Sequence, residues 1–209
     1  MTTTVRLPGL RDFIRERAPA ERCELCSAEL SPHPNHEHLF EPSSRQMHCS
    51  CTACAILFPA DADKRYRRVP RRLWYMEGFA LSDMQWESLA IPVNMAFLHT
   101  TSPGGAVRAF YPSPAGATES ALSLDGWAEM VAENPLLAGM LPDVEALLVN
   151  RVSGARDCYI APIDKCYELV GLIRISWRGL GGGQEVWDRI ATFFAELRAA
   201  ATDKGRVDA

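Results

Sequence analysis

The sequence predicts an α+β protein in which a small N-terminal zinc-knuckle or ribbon-like module precedes a larger mixed α+β domain with β-hairpins and C-terminal helices. Five of the seven cysteines fall between Cys23 and Cys54, a density typical of a metal-folded module. After residue 72, short strand-like segments with turn signals lead into apolar stripes of helical period. The expected organisation is an N-terminal helix (1–20), the metal module (21–63), a basic linker (64–72), the α+β domain (73–200) and a tail (201–209).

Composition places the chain among ordinary globular proteins. Of the 209 residues, 47% are hydrophobic and 23% are charged, and no apolar run approaches the ~20 residues that a membrane span needs. The first residues lack the apolar segment of a signal peptide. We therefore expect a cytoplasmic protein with no membrane span, where reduced cysteines more often bind metal than form disulfides. The net charge of −4 disfavours a dedicated nucleic-acid binder.

The metal module contains two Cys-x-x-Cys pairs. Each pair can direct two thiolates from one tight turn, so Cys23, Cys26, Cys51 and Cys54 are the predicted ligands of one tetrahedral ion. Zinc is the predicted metal, and iron in a rubredoxin-like electron-transfer centre is the alternative. Rubredoxin pairs normally have glycine after the second cysteine, whereas this chain has Ser27 and Ala55.

Three further donors lie between the pairs. His36 and His38 are two residues apart, so both point to one side of an extended segment, and Cys49 and Cys51 share that relation. One structural zinc takes four ligands. Cys49, His36 and His38 are therefore alternate ligands: they belong to the surroundings of the first ion, or they form a second site.

A basic strip follows the module and separates it from an acidic remainder. It contains a tyrosine among its arginines, a pattern that suits a phosphate backbone, an acidic protein partner or a solvated linker. A protein partner is the preferred binding function and nucleic acid the disfavoured one. The predicted partner-binding residues are Arg65, Arg67, Arg68, Arg71 and Arg72.

The α+β domain begins with a capping box at Ser82 that opens a short helix. Strands are expected over 91–98, 107–111, 144–152 and 159–161, forming two hairpins, with a rigid loop at 112–117 and a helix that stops before Asn134. Asp164 is expected to cap a helix with a buried stripe, although residues 173–177 also alternate as a strand would. The final helix is predicted over 184–200 and a frayed tail from Thr202.

The sequence patterns of potential catalytic groups favour a protein that is not an enzyme. No Gly-x-Ser-x-Gly elbow is present, and Cys158 and Cys166 are expected to be buried structural thiols. Asp143, Glu145 and Asp164 are candidate acid–base groups that the sequence alone cannot bring together. The two Cys-x-x-Cys pairs on either side of a His-Glu-His segment resemble zinc-braced nucleases of the His-Asn-His kind, although their later Asn and His are missing here. A zinc-braced nuclease or a nucleic-acid-binding protein is therefore a further alternative function.

Six stretches support a family resemblance, the most specific being Tyr-Pro-Ser-Pro-Ala-Gly-Ala-Thr-Glu-Ser. They lie at residues 23–26, 36–39, 49–54, 111–120, 142–148 and 162–179. In these stretches the chain resembles an uncharacterised bacterial family encoded beside nickel–iron hydrogenase genes of the actinobacterial type. The resemblance implies an accessory or maturation role for a hydrogenase, with a hydrogenase subunit or maturation factor as partner. It implies no catalytic residues.

Overall fold

Among the residues that the structure describes, a seven-stranded sheet lies between two layers of helices, and a three-stranded sheet packs beside it. The computed structural model describes residues 21–32, 35–60, 64–120, 126–179 and 181–204. The strands are β1 (Glu37–Glu41), β2 (Gln46–Ser50), β3 (Arg67–Arg68), β4 (Trp74–Met76), β5 (Met95–Thr101), β6 (Ala106–Ser113), β7 (Gly116–Glu119), β8 (Glu145–Asn150), β9 (Asp157–Pro162) and β10 (Thr202–Lys204). The helices are α1 (Thr52–Ile56), α2 (Asp83–Ser88), α3 (Trp127–Glu133), α4 (Ile163–Ser176) and α5 (Gln184–Ala200).

The larger sheet has the order β10-β4-β9-β8-β5-β6-β7, and only the β10–β4 pair is parallel. The predicted β5–β6 and β8–β9 hairpins are confirmed, with Phe97 opposite Phe110 and Leu148 opposite Tyr159. All six residues of β8 are buried, because this central strand is covered on both faces.

Alternate side chains of the central strands pack into two separate cores. On one face Leu148 and Tyr159 pack with α4 and α5, and on the other Leu147 and Ile160 pack with α2 and α3. A fully buried leucine contributes about 2 kcal/mol by leaving water. The alternation therefore stabilises both helical layers from one strand.

The N-terminal sheet has the order β2-β1-β3 and shares a core with the body. Phe40 on β1 is 2% exposed, belongs to the same apolar cluster as Phe97, and its ring centroid lies 6.2 Å from that of Tyr167 on α4. The hairpin is thus packed against α4 by side chains of its own. The α+β class is confirmed, and the segment expected to be a metal module is continuous with the body through this core.

Several segments differ from their sequence predictions, two of them because partners distant in the chain pair with them. The expected linker contains β3, which pairs with β1, and the expected tail contains β10, which pairs with β4. Residues 112–117 are the end of β6, a tight turn and the start of β7 rather than a loop. Residues 173–176 continue α4, so the strand alternative there is wrong.

Three predicted helix features agree with the structure. The helices at 82 and 184–200 and the stop before Asn134 are confirmed. In the described residues no helix has both the length and the apolar character to cross a bilayer. The helix expected over 1–20 lies outside the described residues.

Two ion pairs connect residues 64–72, the segment expected to be a linker, to the body of the protein. Nη1 of Arg67 lies 3.1 Å from Oδ2 of Asp143, and these side chains are only 6% and 2% exposed. Nε of Arg72 lies 2.6 Å from Oε1 of Glu145, which is fully buried. A buried ion pair stabilises little overall, but removing one partner leaves an uncompensated charge.

Replacing Arg67 with methionine should therefore destabilise the protein by about 3 kcal/mol or more. The Asp143 carboxylate would stay buried, with hydrogen bonds from Ser102 but without its cation. Urea unfolding of metal-saturated protein measures the loss. Arg156→Met is the matched control, because Arg156 and its partner Asp83 are both 64% exposed and loss of this arginine should leave the urea midpoint nearly unchanged. Equal losses in the two variants would contradict the prediction.

Candidate metal centre

The first cysteine pair lies in a closed turn. Backbone N–H groups of Ser27 and Leu30 donate to the carbonyls of Cys23 and Glu21, at 2.7 and 2.9 Å. Ser27 has φ +61°, the left-handed conformation in which a side chain is unfavourable and glycine is preferred. This conformation lets the chain reverse directly after Cys26, so both thiols face one centre.

The second cysteine pair lies in the first turn of helix α1. Cys51 is its N-cap, and its Sγ accepts a hydrogen bond from the Cys54 N–H at 3.5 Å. Ala55 is fully buried and fixes this helix, but Ile56 and Leu57 are 62% and 61% exposed. Phe58 is half-buried against Tyr66, so the apolar residues after Cys54 are buried only in part.

The four predicted ligand atoms converge. The Sγ atoms of Cys23, Cys26, Cys51 and Cys54 lie within 4.8 Å of one another, and those of Cys26 and Cys51 are 3.7 Å apart. Tetrahedral coordination with Zn–S bonds of about 2.3 Å requires sulfurs about 3.8 Å apart. The cluster therefore fits a single tetrahedral ion, and it includes all four residues predicted from the sequence.

The pKa values of two of these neighbouring thiols are shifted in opposite directions. Burial acts to raise the pKa of Cys23, but hydrogen bonds from the backbone of Cys51, Cys26 and Leu25 outweigh it and lower that pKa to about 6. The pKa of Cys54 is raised to about 12, first by its hydrogen bond with the Cys26 thiol and then by burial. One thiolate forms readily and a neighbour resists ionisation, as expected when like charges converge without a metal.

A glutamate inside the first pair connects the knuckle to β2. Oε1 of Glu24 accepts the Cys49 N–H at 2.8 Å, and Oε2 lies 2.7 Å from Nδ1 of His48. Burial acts to raise the pKa of Glu24, but these two hydrogen bonds hold it below its ordinary value. No local sequence signal predicts that Glu24 contacts β2. The contact depends on the β1–β2 hairpin, which brings residue 48 back to residue 24.

The three surplus donors form a second group. One ring nitrogen each from His36 and His38 and Sγ of Cys49 lie within 4.8 Å of one another. His38 and Cys49 are opposite each other in the β1–β2 register. Cys49 and Cys51 belong to different groups because β2 ends at Ser50 and the chain turns there into α1.

The three candidate acid–base carboxylates do not gather. Asp143 pairs with Arg67, Glu145 pairs with Arg72, and Oδ2 of Asp164 lies 2.8 Å from Nδ1 of His38. Asp164 is one of the first residues of α4 but makes no N-cap hydrogen bond. No local signal could have revealed its partner, which lies 126 positions away in the sequence.

The predicted partner-binding arginines contact carboxylates of this chain. Nε of Arg68 and Nη2 of Arg71 lie 3.0 and 3.3 Å from the Glu37 carboxylate. Burial acts to raise the pKa of Glu37, but these two arginines lower it. Arg65 pairs with Glu41 at 2.6 Å. Arg65 and Arg71 are still 69% and 61% exposed, so partner binding by the strip stays a prediction.

Cys158 and Cys166 lie apart from both groups. They are 4% and 0% exposed, as expected for structural thiols. Burial raises the pKa of Cys158 to about 12 and that of Cys166 well above its ordinary value. Both thiols therefore stay protonated at neutral pH and are poor nucleophiles.

Replacing Ser27 with glycine should stabilise the first turn. A non-glycine residue in the left-handed region costs on the order of 1–3 kcal/mol in the folded protein. Glycine in turn lowers the free energy of unfolding by about 0.4–1 kcal/mol, because it raises the conformational entropy of the unfolded chain. The expected gain is on the order of 1 kcal/mol, measured by urea unfolding of metal-saturated protein. Ser43→Gly is the control: Ser43 is exposed and has no positive φ, so glycine there should destabilise. A loss of stability in Ser27→Gly would contradict the prediction.

Comparison with known proteins places the chain in a family. Neither curated proteins nor solved structures give a match. A model described as a family of unknown function (DUF5947) matches residues 22–201. This range begins just before the first cysteine pair and ends at the last residue of the loop before β10. The chain therefore belongs to the family of unknown function DUF5947.

Proposed function

We propose that this protein is a metal-binding accessory protein in which four thiolates hold a structural zinc ion, and that it assists the assembly or maturation of a nickel–iron hydrogenase. The observation that carries the metal-binding part is the convergence of Cys23, Cys26, Cys51 and Cys54 at tetrahedral spacing. The hydrogenase part follows from the family resemblance described above and is the less direct of the two.

The surroundings of the four sulfurs support a structural ion. The segment from residue 21 to residue 30 contains no helix, and its regular backbone pairing is a single bridge between Arg22 and Glu29. An ion shared between this segment and α1 would cross-link them. Structural zinc contributes directly to folding because the unfolded chain holds no preformed site.

Zinc is preferred over iron because the two cysteine pairs have different backbone geometries. Ser27 takes the left-handed conformation expected after a knuckle, but Ala55 continues a helix. A rubredoxin-like centre would instead be expected to have two equivalent knuckles. Thiolates suit both metals, so the metal in purified protein decides between them.

A non-catalytic role is preferred because the three candidate acid–base carboxylates each pair with a different basic side chain and do not gather at one place. Asp143 and Glu145 each hold an arginine, and Asp164 holds His38. These pairs join the metal-binding segment to the body. A scaffold that presents a surface to a partner needs such rigidity.

The metal content of purified protein tests the first part of the proposal. We expect one tightly held zinc at the four-cysteine centre and no visible absorption. Cys23→Ser or Cys54→Ser should lose this zinc and become insoluble or unfold at lower urea concentration, because three thiolates hold the ion more weakly and the cross-link is lost. Cys158→Ala is the control and should keep the zinc. A red, reducible protein would establish the iron alternative instead.

A gene deletion tests the second part in a host that encodes both this protein and a nickel–iron hydrogenase. Hydrogen-dependent dye reduction in cell extracts should fall several-fold and return with the wild-type gene. Complementation with Cys23→Ser should fail, because the metal-binding segment would not fold. Unchanged hydrogenase activity in the deletion strain would reject the accessory role while leaving the zinc site intact.

A further inference from the structure

The second donor group is built by the β1–β2 hairpin. His38 and Cys49 are a cross-strand pair, and directly opposed side chains in an antiparallel sheet have Cβ atoms about 5 Å apart. His36 lies in the bend directly before β1. The ring centroids of the two histidines are 4.9 Å apart. The strand register therefore brings two imidazoles and a thiol to one place.

Hydrogen bonds set the tautomer of both rings. Nδ1 of His38 contacts the Asp164 carboxylate at 2.8 Å, and Nδ1 of His36 contacts the Ser31 carbonyl at 3.1 Å. A carbonyl and an ionised carboxylate have no proton to give, so each Nδ1–H donates and the lone pair of each neutral ring is on Nε2. Metal-binding histidines show this arrangement, in which a carboxylate or backbone carbonyl orients the ring through its other nitrogen.

The two histidines of the group, but not Cys49, also line open space. A cavity of about 520 Å³ is lined by His36, His38 and Asp164 among others. The side chains of His36 and His38 are only 2% and 13% exposed. A metal held here would thus be largely enclosed on the protein side while keeping a route for entry and for a non-protein ligand.

From these contacts we propose that His36, His38 and Cys49 form a second metal site, independent of the hydrogenase role, for a late first-row divalent ion such as Zn²⁺ or Co²⁺. Two imidazoles and one thiolate suit such borderline ions and not Mg²⁺ or Ca²⁺. Three protein ligands leave a fourth tetrahedral position for water or a small ligand from the cavity. Asp164 is a positioning residue that orients His38.

The two sites differ in how they would retain metal. Four thiolates complete the coordination of the first ion, whereas the second ion would keep one exchangeable position. The first site should therefore fill first and hold its metal during purification, and the second should fill when metal is added. This order allows one protein sample to report on both.

Cobalt titration of the full-length, zinc-loaded protein under reducing conditions tests the proposal. We expect one equivalent of Co²⁺ to bind without release of zinc, giving thiolate-to-cobalt charge-transfer absorption and the strong visible bands of a four-coordinate ion. Cys49→Ser should abolish the charge-transfer band, and His38→Ala should abolish binding. Zinc content, measured before and after, reports whether the first site is intact in each variant.

A conservative variant and a matched control complete the test. Asp164→Asn should weaken cobalt binding by about 10–100-fold while leaving the bound zinc in place. His48→Ala should bind cobalt like the wild type, because His48 contacts Glu24 and Glu41 and lies outside the group. The proposal is overturned if wild-type protein binds no cobalt beyond its zinc, or if Cys49→Ser and Asp164→Asn bind it unchanged. It is also overturned if His48→Ala loses cobalt as completely as His38→Ala.

Discussion

The repulsion among four converging sulfurs is the constraint on which the N-terminal part of the molecule depends. Two unit charges 4 Å apart interact with about 4 kcal/mol at an effective dielectric constant of ~20, and the closest sulfurs here are 3.7 Å apart. The chain therefore cannot ionise all four thiols at this spacing without a cation. A divalent ion reverses the sign of the interaction, so the geometry that is costly in its absence becomes the most favourable one.

The consequence reaches beyond the four cysteines because the same segment sets the position of the hairpin. Glu24 in the first turn accepts hydrogen bonds from Cys49 and His48 on β2. The other strand of the hairpin places Phe40 in the core against α4. An ion that orders the turn thus orders the edge of a hairpin whose other side is part of the main core. Under the proposed metal binding, these contacts would couple occupation of the four-cysteine group to folding of the body.

The arginine strip shows why charge in a sequence gives little information on its own. Five arginines close together predicted a basic surface for a partner, yet each contacts a carboxylate of this chain. Their partners lie from 24 to 76 positions away, so the neutralisation is invisible in a local window. The strip serves first to join β3 to the hairpin and to the body, and only its exposed members are accessible to another protein.

The features that the sequence predicts depend on neighbouring residues, whereas the features that it does not predict depend on contacts between distant segments. The convergence of the four cysteines follows from spacing within two short turns, and α5 and the two hairpins follow from periodicity, so these features could be predicted. Strands β3 and β10 are only two and three residues long, which is too short to show an alternating pattern of apolar residues. They form because they pair with β1 and β4, which are distant in the sequence. Asp164 beside His38 depends likewise on the packing of α4 against the hairpin.

The end of strand β2 determines how the donors of this segment are divided. Cys49 is still in the strand and faces His38, whereas Cys51 follows the last strand residue and caps α1. If β2 continued by one residue to include Cys51, the side chains of Cys49 and Cys51 would lie on the same face of the strand, and the two donor groups would mix. Ending the strand at Ser50, which is fully buried, instead directs one thiol toward the imidazoles and the other toward the cysteines. The donors of this segment are thereby divided into one group of four thiols and one group of two imidazoles and a thiol.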